Sequence, residues 1–205
     1  ADMTNDRLWM GFSTATLAPM SNRLLLRKQI AEAWRLSMTT DYAAQRINSE
    51  RSLQASVWSH LNTLLSPKTR RMFIEPCMSV LGSDPTVRFP DIVICNTRSV
   101  IGIVELKYQP RKSPSWRKDI NTFHWLAKNQ SSIAISNGRY RGEDRDANIY
   151  PLADNVLYVW AGVHSESPIQ LADYLEPALR PMFFALHAET QHSKAPRLRQ
   201  SYNGR

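Results

Sequence analysis

The chain has 205 residues, 42% hydrophobic and 21% charged, a balance that builds one buried core and excludes a disordered or fibrous protein. Its 26 Lys and Arg against 18 Asp and Glu give a formal charge of +8, which points to a polyanionic partner such as nucleic acid or an acidic membrane face. Cys77 and Cys95 form neither a disulfide framework nor a zinc motif, no apolar run has the length of a bilayer-spanning helix, and Ala1-Asp2-Met3 opens without a secretion signal. One reduced, cytoplasmic domain with no membrane contact is expected.

In chain order, residues 22–36 carry Leu25, Leu26, Gln29, Ile30, Ala33 and Trp34 at helical spacing. A second helix is expected from about Thr40-Asp41 to Leu65, with Ser66-Pro67 ending it. Its apolar stripe is Ile47, Leu53, Val57, Leu61 and Leu64, and Glu50 fills the gap between the first two. If that helix instead starts at Ser49, Glu50 falls in the first turn, near the positive end of the dipole. Beyond Pro67 the period shortens to that of strands. A first strand spans 71–80, interruptible at Pro76, followed by a turn cluster with Gly82, Asp84 and Pro85. Two β-branched runs, 87–95 and 100–107, flank Asn96-Thr97-Arg98-Ser99 and predict a hairpin. Then come a basic segment (108–114), a helix (115–128), a strand (131–136), a charged loop (137–146) and a strand (156–163). A last helix is expected over 171–188, broken or kinked by Pro177 and Pro181. The tail, with Lys194, Arg197, Arg199 and Arg205, is expected to be mobile. This order predicts a single α/β domain, a mixed sheet flanked by helices.

The chemistry concentrates in the hairpin. Alternate side chains of a strand share a face, so Glu105 and Lys107 point one way while Val104 and Leu106 point the other. With Thr97-Arg98-Ser99 as the loop, Asn96 pairs with Val100 and Asp91 falls opposite Glu105, their Cβ atoms roughly 4.5–5.5 Å apart. A slip of one residue would put Asp91 on the other face. Two carboxylates this close repel, and both pKa values rise unless a cation separates them. A hard ion such as Mg²⁺ takes oxygen ligands of this kind. Lys107 on the same face can hold a water or steady charge developing on a phosphate. An Asp at a strand start and an E-x-K at a strand edge are also ordinary surface features, which is the competing explanation.

Pro90-Asp91, thirteen intervening residues, then Glu105-Leu106-Lys107 resemble the signature of the PD-(D/E)XK nuclease superfamily of restriction endonucleases, junction resolvases, and repair and recombination nucleases. The preceding helix with Glu50 is similar to that superfamily's first core helix, and the helix-strand-strand-strand-helix-strand order over about 41–136 is similar to its core. The resemblance implies a restriction-endonuclease-like fold with a core over about 41–163, a helical extension over 1–40, a C-terminal helix over 164–188 and a basic tail over 189–205. It implies a Mg²⁺-dependent nuclease, with Mn²⁺ able to substitute, acting on DNA more than on RNA and compatible with a homodimer. By this resemblance Asp91 and Glu105 bind the ion and the main-chain carbonyl of Leu106 completes its coordination. Lys107 serves the attacking water, and Glu50 assists through the ion's water shell.

After the motif, Arg111, Lys112, Arg117 and Lys118 interleave with Tyr108 and Trp116. Basic residues with aromatics can follow a phosphate backbone and stack bases, so Arg111, Lys112, Trp116, Arg117 and Lys118 are the expected nucleic-acid contacts. The alternative is a solvated loop and helix start. Asp119 is expected to cap the helix or to pair with Lys107 or an arginine, and His124 to pack. Arg139, Tyr140, Arg141 and Arg145 lie among acids in the charged loop, and His60, His164, His187 and His192 show no ligand spacing. No Gly-rich phosphate loop or nucleophile elbow is present. Two other functions stay open. One is a nucleic-acid binder of the same fold that does not cut, against which the paired carboxylates argue. The other is a basic interaction domain with a chance motif, which requires that Asp91, Glu105 and Lys107 not converge.

Overall fold

A computed structural model describes residues 20–80, 86–136, 149–165, 169–190 and 195–202. The charged loop over 137–146, the turn with Gly82, Asp84 and Pro85, and His192, Lys194 and Arg205 lie outside the described residues. Three α-helices are described: α1 (Met20–Leu36), α2 (Glu50–Leu64) and α3 (Arg117–Lys128). The strands are β1 (Arg71–Ile74), β2 (Met78–Val80), β3 (Val87–Arg88), β4 (Ile92–Cys95), β5 (Val100–Gln109), β6 (Ile133–Ser136), β7 (Ile149–His164), β8 (Phe183–Glu189) and β9 (Arg197–Tyr202).

The helix expected from Thr40 is divided. Residues Ser37–Tyr42 prolong α1 as a π-helical turn, where the hydroxyls of Ser37, Thr39 and Thr40 donate to carbonyls four residues back at 2.9, 2.9 and 2.6 Å. Such back-bonding loosens the α ladder. Gln45, with φ of 57°, then ends the run. A new helix starts at Ser49, whose side chain accepts from the Ser52 amide while the Ser52 hydroxyl accepts from the Ser49 amide, a reciprocal cap.

The described strands form one mixed sheet of nine. β1, β4 and β5 run antiparallel in that order. β7 lies parallel to β5 and to β8, and β9 closes the far edge antiparallel to β8. The first residues of β7 turn away to pair antiparallel with β6, which carries β2 and then β3. Two predicted strands are therefore split. Residues 71–80 break at Glu75, which has φ of 45° ahead of Pro76, and residues 87–95 divide into β3 and β4. The strand predicted over 131–136 sits in the outer ribbon, and β7 takes the place beside β5.

Alternation through the sheet separates two cores. Ile92, Ile94, Val104 and Leu106 pack with Leu26, Ile30, Trp34, Leu53, Val57 and Leu61 of α1 and α2. Val93, Cys95, Ile103, Tyr158 and Trp160 pack on the other face with Ile120, Phe123 and Leu126 of α3. Leu25, one of the residues at helical spacing in α1, is 55% exposed. Residues 171–188 hold no α-helix. Two short 3₁₀ turns, Leu171–Tyr174 and Arg180–Met182, lead into β8. Pro177 and Pro181 deny that segment a helical ladder, and β8 is buried on both faces, so its apolar run carries no period. The predicted mobile tail is corrected too: Arg197–Tyr202 is an edge strand, its basic side chains of the kind that protect edges from further pairing. Among the described residues no helix is long and apolar enough to cross a membrane.

Candidate active site

The hairpin β4–β5 decides where the acids fall. Ile92, Val93 and Ile94 pair with Val104, Ile103 and Gly102, a register that sets Asp91, the residue before β4, against Glu105. At the tip the expected pairing fails. Val100 pairs with Cys95 rather than Asn96, and the register shifts between Ile94 and Cys95. The four-residue turn is tied by the Asn96 side chain, which accepts from the amides of Arg98 and Ser99 at 2.8 and 2.7 Å. The bulge absorbs the difference, so the acids keep the pairing they would have had with the shorter loop.

Asp91 is held at several points. Its Oδ2 accepts the Leu106 amide at 2.6 Å, and its own carbonyl accepts from Gln54 Nε2 at 2.9 Å and from the Glu75 amide at 3.1 Å. Glu105 is 7% exposed, and the two carboxyls lie within hydrogen-bonding reach of each other. Burial, then the charges of Asp91 and Asp119, push Glu105 up to about 9. Burial also raises Asp91, against the pull of the Leu106 amide and the Lys107 ammonium. Leu106 turns its side chain into the α1–α2 core, so Glu105 and Lys107 share the α3 face.

Lys107 sits between Asp119 Oδ1 at 3.3 Å and Glu50 Oε1 at 3.6 Å. Burial works against its charge, but Asp119, Glu50, Asp91 and Glu105 together outweigh that and raise its pKa. It is a fixed ammonium, not a proton acceptor. Asp119, in the first turn of α3, pairs with Lys107 as one of its sequence expectations held. It also accepts Trp160 Nε1 at 3.0 Å, and burial brings it to about 6 against the Lys107 charge. The Trp160 indole lies over Gly162, where an added Cβ would stand 2.2 Å from the ring. Glycine is what lets that ring reach Asp119.

Glu50 takes the second of its two expected places, in the first turn of a helix capped by Ser49. It is the first residue of α2, not part of a buried stripe, and its side chain is 45% exposed. It still faces the hairpin, accepting the Tyr108 amide at 3.3 Å. Glu50, Asp91, Glu105, Lys107, Lys118 and Asp119 line one cleft of about 650 Å³, with Val87, Arg88 and Phe89 on its wall. A larger cleft of about 730 Å³, near the turn end of the hairpin, holds Asp154 as its single acid and offers no carboxylate pair.

Of the five expected nucleic-acid contacts, Lys118 lines the cleft. Arg111 and Lys112 are exposed in the turn after β5, where the Lys112 carbonyl accepts the Ser165 amide at 3.3 Å. Trp116 packs on Tyr174 with ring centroids 4.2 Å apart, and the exposed Arg117 lies 5.7 Å over the Trp116 ring. His124, expected to pack, accepts the Glu176 amide at 3.3 Å. His164 and His187, on neighbouring strands, meet at 3.0 Å in the interior, a pairing that only the β7–β8 register creates. Sequence reasoning missed Gln54, Trp160 and Phe89. Gln54 had a signal, one helical turn after Glu50 on the same face. Trp160 had none, because its partner comes from a different element.

A divalent cation fits the acid pair. Mg²⁺ is commonly held by one or two carboxylates, with water and substrate oxygen filling the rest, and the buried Glu105 carboxyl beside the half-buried Asp91 carboxyl offers a place where a cation would fit. Among the described residues no group of three or more His, Cys, Asp or Glu side chains stands ready as a complete ligand set, so the protein's share would be small. Comparison of the chain with protein-family models, with curated proteins and with solved structures finds no match.

Proposed function

We propose that this protein is a Mg²⁺-dependent nuclease of the PD-(D/E)XK superfamily, with a restriction-endonuclease-like fold, hydrolysing phosphodiester bonds of DNA more readily than of RNA. The observation that carries it is the meeting of Asp91, Glu105 and Lys107 on one sheet face at the mouth of a cleft. The order α2-β1-β4-β5-α3-β7 supports it, since it keeps the helix-strand-strand-strand-helix-strand sequence of that superfamily's core, with β7 as the last strand.

Asp91 and Glu105 would hold the ion, with the Leu106 carbonyl as a third oxygen. Bound there, it would supply positive charge to the phosphate and acidify a water. Lys107, fixed by Asp119 and Glu50, donates hydrogen bonds to the attacking water or the phosphate oxygen as negative charge builds. Because both anchors are already in place, little reorganisation is needed as that charge develops. Glu50, at the solvent edge, would contact water around the ion. Arg88 and Lys118 on the cleft walls provide charge for the incoming phosphates.

Supercoiled plasmid, linear duplex and single strands, each incubated with Mg²⁺ and with EDTA, test this. Cleavage in Mg²⁺ that EDTA stops is the expected result. Binding to DNA without cutting in either Mg²⁺ or Mn²⁺ would favour a binder that keeps the fold.

A further inference from the structure

The cleft wall carries an aromatic ring that the fold leaves in solvent. Phe89 is 56% exposed, lines the cleft of Asp91, Glu105 and Lys107, and precedes Asp91 by two residues. The aromatics the sequence offered as stacking platforms are engaged: the Tyr108 hydroxyl donates to the Ile47 carbonyl at 3.0 Å and Trp116 packs on Tyr174. The Arg88 guanidinium lies over Trp125, 5.1 Å from its centroid. That contact also holds Arg88 beside Phe89 on the wall, and Lys118 supplies a second cation to the cleft. Carboxylates, cations and an exposed ring lining one cleft suit a nucleotide better than an apolar ligand.

Geometry ties the ring to the acids. Two residues of chain span at most about 7 Å, so a phosphate at Asp91 leaves the base of its own or the adjoining nucleotide within reach of Phe89. Stacking on an aromatic side chain is sequence-tolerant because every base has a π-face. That face is available when a base is unpaired and out of its stack, whereas in an intact duplex neighbouring bases cover it. Resting on the phosphodiesterase function above, we propose that Phe89 is a base-stacking subsite for an unpaired nucleotide beside the scissile phosphate. The site therefore takes single-stranded or frayed DNA in preference to intact duplex.

The test measures affinity for a labelled single-stranded oligonucleotide and for its duplex, in EDTA, and cleavage of both in Mg²⁺, using the full chain and its Phe89→Ala and Phe89→Trp variants. Phe89→Ala should weaken single-strand binding about five- to hundredfold and change duplex binding less than twofold. Phe89→Trp should restore single-strand affinity, with indole emission quenched on binding beyond that of the wild type. Equal single-strand affinity in wild type and Phe89→Ala, or equal losses on single strand and duplex, overturns the subsite. If the wild type still cleaves in Mg²⁺, only the subsite has failed. If the wild type cuts none of these substrates, the phosphodiesterase function has failed and the subsite falls with it. Should Phe89→Ala fold poorly, Phe89→Trp decides: loss of single-strand affinity with no quenching contradicts the proposal.

Discussion

Among the described residues, Glu105 carries the strongest conflict between burial and charge. Its carboxyl is held neutral up to about 9 by burial and by its acidic neighbours, against an ordinary value near 4.5. Without metal, the folded state therefore binds a proton that the unfolded chain releases between those values, and stability falls as pH rises through that window. Asp119, raised to about 6, acts in the same direction lower down. His187, pushed down to about 3 by burial and by His164, acts oppositely, removing stability as pH falls below 6.5. Lys107, raised above 10.5, loses its contribution only in strong alkali. The interval from pH 7 to 9 thus belongs to the Asp91–Glu105 pair, in which burial raises Asp91 as well. Urea unfolding in EDTA should show stability declining across it, and Glu105→Gln should flatten the decline. An unchanged slope in that variant would mean that the carboxylate is solvated in the folded protein.

At the scale of elements, the site depends on backbones that approach closely. Gly162→Ala sets a Cβ 2.2 Å from the Trp160 ring in a wall with no slack, so the indole must move and give up Asp119. Overpacking of this kind costs roughly 1–3 kcal/mol, or about 2–4 °C in Tm for each kcal/mol in a chain of this size. Calorimetry checks it, and an unshifted transition would mean that the ring is not confined there. The hairpin was legible because Ile92–Cys95 and Val100–Lys107 alternate toward two covered faces, and its acid-bearing end kept its pairing even though the turn did not. The start of α2 was legible only as an alternative, since the Ser49–Ser52 cap competes with a run of good helix formers upstream. β8 was not legible: buried on both faces, Phe183–Glu189 shows no period of two, and its closeness to β7 is a long-range fact. The role of Trp160 was hidden for the same reason, because nothing local in 156–163 marks Asp119 as its partner.

For the whole molecule, the +8 charge predicts an affinity for DNA that drops steeply with salt, because each phosphate contact releases counterions. The cleft identifies which cation matters most. Lys118→Ala should weaken binding to all sequences alike and lower the salt slope by about 1, while Arg111→Ala with Lys112→Ala, outside the cleft, should change it less. Affinity titrations from 50 to 300 mM salt, as typical conditions for such contacts, separate the two, and the reverse ranking would place the DNA path along the turn after β5.

Under the proposed function, the Asp91–Glu105 pair is kept at the expense of stability so that it can hold the ion. Single-turnover cleavage of DNA in Mg²⁺ by Glu105→Gln, beside the wild type, is the measurement, with the thermal transition of both recorded in EDTA. The variant should melt higher and cut about 10²–10³ more slowly. A variant that cuts as fast as the wild type would contradict it.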